Sequence, residues 1–255
     1  MNCLIYIVSH KNFNPPQKKY YMPIFVGPNK IEYGGEYVTD KTKIQISEKN
    51  PNYCELTALY WIWKNVHNID YVGLVHYRRL FYRNCLSKSY SHLISETRLE
   101  KYMKDYDMIL PYKNYSTLSI RKEYTQDGSG LDKDLDLLQT VISDLYPEYL
   151  DDYITVLNGH QSYLYNMFFC KKELMDQYCE WLFAILSEVE NRIDISQYNR
   201  QQARVFGYMA ERLMSVYVLH NQLKIKELPV FNIENKFSSE ICREIKRRIK
   251  KVKYK

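Results

Sequence analysis

Short apolar runs alternate with segments of helical periodicity along this chain, and that alternation leaves few folds open. Leu4–Val8, Tyr71–Val75, 106–111 and 163–172 read as strands apolar on both sides. Between and after them, Asn52–Val66, 95–105, Asp132–Leu145, 172–193 and 202–221 place apolar residues three and four apart, as a helix with one buried face requires. Shorter apolar runs at 22–28 and 225–231 add further strands. Strands alternating with helices predict an α/β domain, a mostly parallel central sheet flanked by helices. Asn52 and Glu55 have capping-box spacing for the first helix, and Ser95 opens the second. Residues 29–51 read as an irregular excursion and 112–132 as a polar loop.

With 255 residues there is ample length for one core, and no Pro-, Gly- or Ser-rich linker divides it. The predicted division is a domain over 1–235 and a basic amphipathic tail over 236–255. The net charge of +6 resides in that tail: from Cys242 to Lys255 there are eight Lys/Arg and one Glu. A nearly neutral body argues against a nucleic-acid-binding domain, which carries its charge on a folded face. Within the tail Ile241, Ile245, Ile249 and Val252 form one stripe with Lys and Arg around it. Two readings stay open, an interfacial helix attracted to anionic lipid and a merely solvated helix. Six scattered cysteines without metal-ligand spacing read as reduced, buried small hydrophobes. With no basic leader and no run of about 20 apolar residues, the expectation is a cytoplasmic protein, peripheral at the inner membrane face.

In α/β folds the ligand crevice lies beyond the carboxyl ends of the strands. Three polar groups follow predicted strands: Ser9-His10-Lys11, His76-Tyr77-Arg78-Arg79 and Pro111-Tyr112-Lys113. Guanidiniums at such a place suit a diphosphate through bidentate, charge-assisted bonds, or else pair with internal carboxylates. There is no P-loop and no G-x-G-x-x-G, so phosphate binding falls to side chains. No G-x-S-x-G elbow supports a hydrolase. Asp105-Tyr106-Asp107 precedes a strand, the wrong end for a metal, and Asp132, Asp134 and Asp136 open a helix, where the dipole alone accounts for them. Asn166 inside an apolar strand needs a partner, a sugar hydroxyl or a backbone group. Glu211 beside Arg212 is either an internal bridge or a general base held near an acceptor hydroxyl.

"NYCELTALYWIWKN", "DYVGLVHYRRLF", "YDMILP", "YNMFFCKKELMDQYCEWLFAIL" and "RVFGYMAERL" together resemble the DUF4422 family of bacterial capsular and exopolysaccharide glycosyltransferases, over about residues 3–231. The resemblance implies a GT-A-like fold and transfer of a hexose from a UDP-sugar to a lipid-linked saccharide acceptor in capsule, exopolysaccharide or O-antigen synthesis. Some relatives are described as galactofuranosyltransferases, which makes UDP-galactofuranose a candidate donor. It places Ser9, His10, Lys11, His76, Tyr77, Arg78 and Arg79 at the donor nucleotide. His160, Asn166, Met167, Phe168 and Arg212 fall to the sugar or acceptor, and Glu211 to catalysis. His76–Arg79 stand where GT-A enzymes usually have D-x-D, so Arg78 or Arg79 is expected to neutralise the diphosphate in place of, or alongside, a divalent metal (Mn or Mg). No residue is assigned to the metal. The alternative is a non-catalytic nucleotide-sugar-binding subunit of a polysaccharide synthesis complex.

Overall fold

The structure, a computed structural model, describes residues 2–29 and 32–254. It opens with strands β1 (Cys3–Ser9), β2 (Tyr21–Phe25) and β3 (Val38–Thr39), then helices α1 (Asn50–Tyr53) and α2 (Leu56–Asn65). The middle runs β4 (Tyr71–His76), β5 (Arg79–Phe81), α3 (Glu96–Tyr102), β6 (Met108–Pro111), β7 (Asn114–Tyr115), α4 (Ile120–Gln126), α5 (Asp132–Leu145) and α6 (Leu150–Asn158). The last part is β8 (Gln161–Ser162), β9 (Phe168–Lys171), α7 (Lys172–Arg192), α8 (Val205–His220), β10 (Ile225–Leu228), β11 (Val230–Asn232) and α9 (Phe237–Lys253).

The main sheet has the order β10-β6-β9-β4-β1-β2-β3, with β5 and β11 paired beside β4. β1 is parallel to β2 and β4, and β10 to β6, while β9 runs antiparallel between β4 and β6. The strand-long apolar runs have a direct cause, because both faces are covered. Tyr6, Val8, Val72, Leu74, Met108, Leu110, Phe168 and Cys170 point into the core beneath α2, α5, α7 and α8. Their alternates Ile5, Ile7, Val75, Ile109 and Phe169 point into a second core closed by β5, β11 and α3. The predicted α/β architecture, a mostly parallel central sheet flanked by helices, is therefore present, with β9 as an antiparallel insert.

Gly73 marks the tightest point of this sheet. Opposite it in register is Phe169, whose ring stacks on Tyr71 with centroids 6.0 Å apart. A Cβ at Gly73 would lie 3.0 Å from Phe169 Cδ2, 3.1 Å from Ile5 Cγ1 and 3.1 Å from the Phe168 carbonyl oxygen. One of these neighbours is backbone in the central strands and cannot yield cheaply. Gly73→Ala should cost roughly 1–3 kcal/mol, the usual range for overpacking, read as a lower denaturation midpoint with an unchanged slope.

Several boundaries differ from the sequence reading. The helix expected over Asn52–Val66 is broken at Cys54, which adopts φ 54°, ψ −129°. Asn52 does not cap it: its side-chain amide donates to the Ala203 carbonyl at 2.7 Å. Gly207 of α8 lies against Cys54, and a Cβ there would come within 3.4 Å of Cys54 Sγ. Tertiary packing thus overrides a continuous helical pattern. The 112–132 "loop" contains β7 and α4, with Ser119 accepting from the Lys122 N–H as its cap. β9 begins only at Phe168, and 225–231 is two strands separated at Pro229. The tail is a helix, as expected, and it is docked: Glu240 is buried and accepts from the Asn232 N–H at 3.1 Å. Of the cysteines only Cys3, Cys170 and Cys179 are buried; Cys54 and Cys85 are half-buried and Cys242, on α9, is exposed.

Candidate active site

The carboxyl ends of β1 and β4 lie side by side, with Val8 opposite His76. Since β9 is antiparallel to β4, the turn that precedes it opens on the same edge, and Tyr165 and Asn166 occupy it with φ 78° and 48°. Asn166 is therefore not inside a strand. It sits in a left-handed turn that asparagine tolerates better than most residues, and its amide donates to Glu55 Oε1 at 2.8 Å and to the Gly207 carbonyl at 3.1 Å. A backbone group and a carboxylate satisfy the amide, while its own Oδ1 is buried without a partner.

Arg79, on β5, lays its guanidinium over the Tyr165 ring at 4.6 Å. It makes no ion pair among the described residues, and its Nε is buried and unpartnered. His76 hydrogen-bonds the main chain of Tyr165 and leaves Nε2 buried without a partner. Burial, and then the nearby charge of Arg79, push the imidazole down to about 3, so it is neutral at physiological pH. Arg78 and Arg204 also act on it, which puts three guanidiniums around one ring. Arg78 is at the rim, its side chain 40% exposed, with Glu234 at 3.5 Å. Lys11 shares that carboxylate at 2.9 Å and lies 4.9 Å over the Tyr77 ring. His10 packs edge-on to Tyr77 at 5.5 Å and is depressed by burial, then by Lys11, Arg78 and Arg204.

Two carboxylates stand beneath these cations. Glu211, from α8, accepts the Tyr165 N–H at 2.7 Å through Oε1 and Arg212 Nη1 at 3.0 Å through Oε2. Burial raises its pKa against the opposing pull of Arg212, and the charge of Glu55 raises it further. Glu55 is raised mainly by burial, with the Asn166 bond and then Arg204 and Arg79 working the other way. Each carboxyl thus holds its proton to higher pH than a free glutamate. The break at Cys54 is what turns Glu55 off the helix face toward Asn166.

The structure brings His10, Lys11, His76, Tyr77, Arg78, Arg79, Asn166 and Glu211 together at one edge of the sheet, with Tyr77 and Asn166 themselves buried behind it. It places the other five expected residues elsewhere or beneath that edge. Ser9 is buried and closes a local turn, bonding the Lys11 carbonyl at 2.6 Å. Met167 and Phe168 are both 1% exposed, Met167 just before β9 and Phe168 at its start, and so cannot floor a sugar pocket. Arg212 is 3% exposed, lies over the Tyr124 ring at 5.0 Å and bonds the Tyr208 carbonyl, so it holds Glu211 from below. His160 belongs to the β7–β8 edge, where it stacks on Tyr254 at 5.1 Å. Glu55 and Arg204 are crevice residues that the sequence reading missed. Arg204 is exposed, donates to Cys54 Sγ at 3.1 Å, and directly precedes α8.

No group of three or more His, Cys, Asp and Glu among the described residues is arranged to hold a metal ion. Asp107 accepts the Lys224 N–H, Asp132 and Asp136 pair with Arg121, and Asp134 accepts the Leu131 N–H. The donor set at the crevice, two carboxylates under three guanidiniums, does not fit a resident divalent ion.

The structure is similar to the apo structure of WbbM, a bifunctional glycosyltransferase, with a TM-score of 0.83 and 31% identity. The match covers 92% of this chain and 46% of that one, so this chain spans about half of the solved chain. The chain belongs to the DUF4422 family, described as a domain of unknown function, whose model matches residues 4–222. A comparison with curated proteins finds no match.

Proposed function

We propose that this protein is a glycosyltransferase that moves a hexose, with galactofuranose a candidate, from a UDP-sugar to a lipid-linked saccharide acceptor in capsule, exopolysaccharide or O-antigen synthesis. The observation that carries this reading is three buried polar atoms without partners, His76 Nε2, Arg79 Nε and Asn166 Oδ1, around one crevice. Buried polar groups are nearly always bonded, so a polar ligand is the economical occupant. Arg79, Arg78 and Arg204 would hold the donor diphosphate and ease its departure as negative charge develops on it. The neutral His76 and Asn166 would then meet hydroxyl or phosphate oxygens. Transfer breaks the anomeric carbon–phosphate oxygen bond and forms a bond from that carbon to the acceptor oxygen. The acceptor proton passes to Glu211, with Glu55 the nearby carboxylate that keeps its pKa raised. The likeness to one half of a bifunctional glycosyltransferase supports the same reading.

A panel of nucleotide-sugars tested by thermal shift, with and without manganese, addresses donor and metal together. A rise in melting temperature with a UDP-sugar, accompanied by slow release of UDP, is the expected result. No shift with any nucleotide-sugar would refute the reading.

Membrane attachment rests on the orientation of α9. Its polar side packs on the body, leaving Ile245, Ile249 and Val252 52%, 65% and 86% exposed. Lys and Arg flank that ridge, and each contributes about 1 kcal/mol near an anionic surface. The helix would therefore lie along the cytoplasmic leaflet, and among the described residues no helix is long and apolar enough to cross a membrane. The double variant I245D/I249D should lose at least tenfold in binding to phosphatidylserine vesicles while UDP affinity is retained. Equal vesicle binding by variant and parent would contradict the attachment.

A further inference from the structure

A second cavity, of about 560 Å³, lies between α9 and the segment that follows β6. Its cations are Lys113, Arg243, Lys246, Arg247 and Lys250, against Glu240 and Glu244. Arg247 lies over the Tyr112 ring at 4.2 Å, and its Nη1 is buried with no partner even though Nε and Nη2 bond Glu244. Lys246 and Lys250 take no internal carboxylate among the described residues. Tyr112, Tyr115, Tyr165 and Phe231 are among the residues of the other walls. Positive excess, an orphaned guanidinium nitrogen and aromatic residues in the walls together suit a saccharide that bears a phosphate ester.

Tyr165 separates this cavity from the arginine crevice. Its ring lies under Arg79, its N–H binds Glu211, and its hydroxyl accepts from Arg243 Nη1 at 3.3 Å. We propose that the α9 cavity binds the phosphate-bearing end of the acceptor, and so presents the acceptor hydroxyl across Tyr165 to Glu211. This rests on the transferase reading and assigns the acceptor a site apart from the donor. The outer face of α9 is the apolar ridge, so an acceptor whose phosphate is anchored in a bilayer reaches the cavity along the same helix.

Titration calorimetry with a short-chain prenyl diphospho-monosaccharide, UDP and inorganic pyrophosphate, on the full chain, tests the assignment. The variants are R247Q and, because Arg247 is tied to Glu244, the surface pair K246E/K250E, which breaks no internal ion pair. The expected result is at least tenfold weaker binding of the prenyl probe in both variants, with UDP affinity within twofold. Unchanged probe affinity in both variants overturns the assignment, and so does an equal loss of UDP affinity, which would give the cavity to the nucleotide. Inorganic pyrophosphate that matches the probe in affinity and variant sensitivity also overturns it, leaving a free-anion site. A parent protein that binds UDP but not the probe refutes the acceptor site alone; one that binds neither refutes the transferase reading as well.

Discussion

Replacing Arg79 by alanine is expected to weaken UDP binding by roughly tenfold to a hundredfold, in line with about 1.5–3 kcal/mol for a hydrogen bond to a charged group. Arg79 is the best placed of the three guanidiniums, because the Tyr165 ring fixes its plane and no carboxylate among the described residues lies within salt-bridge distance of it. Removing it breaks no salt bridge, but the buried Glu55 and Glu211 each lose one nearby cation, so a modest fall in melting temperature should accompany the change. Arg79→Lys keeps the charge but not the two-pronged geometry, so it should recover only part of the affinity. Arg78→Ala should lose less, since Arg78 is at the wet rim and already shares Glu234 with Lys11. Calorimetric titration of UDP measures all three. Wild-type affinity and turnover in both alanine variants would remove the diphosphate from this crevice.

For Glu211→Gln the expected result is different in kind: turnover falls by about 10²- to 10⁴-fold, as when a general base is deleted, while UDP affinity holds. The amide keeps an oxygen for the Tyr165 N–H, but Arg212, 4% exposed at its side chain, loses its ion pair, so some loss of melting temperature accompanies the change. The split between kcat and donor affinity is what a purely structural role would not produce. The pH profile adds a second readout. A base works only when deprotonated, and burial raises the Glu211 pKa. Activity should thus climb with pH through a value above the ordinary 4.5, and that limb should vanish in the glutamine variant. Because Arg79 pulls the same carboxyl down, Arg79→Ala should move the limb to higher pH. A fully active Glu211→Gln would shift the base to Glu55, testable in the same way.

The sheet and its long helices were legible because each depends on repeating contacts. Ile5 and Ile7 face one core while Tyr6 and Val8 face the other, and α5 and α7 keep their buried residues three and four apart. The crevice was legible in its cations, since His76–Arg79 interrupt an apolar run at a strand end. Its carboxylate side was only half legible. Glu55 has capping-box spacing from Asn52, and nothing in that spacing reveals that Cys54 breaks the helix; the break comes from α8 packing at Gly207, more than 150 residues away. Asn166 likewise looked like an interior strand residue because Tyr163–Phe169 is apolar around it, whereas two consecutive positive φ values make it a turn. Arg204 sits in a polar stretch with no periodicity, where one arginine looks like another.

α9 turns Glu240, Glu244 and Arg247 inward and leaves Ile245, Ile249 and Val252 turned to water among exposed lysines and arginines. Such a helix is wetted at its greasy edge whenever the protein floats free, and concentrated aqueous samples should clump through that edge. Mild detergent or lipid nanodiscs would then be the natural medium for handling this chain, since they supply the oily neighbour that plain buffer withholds.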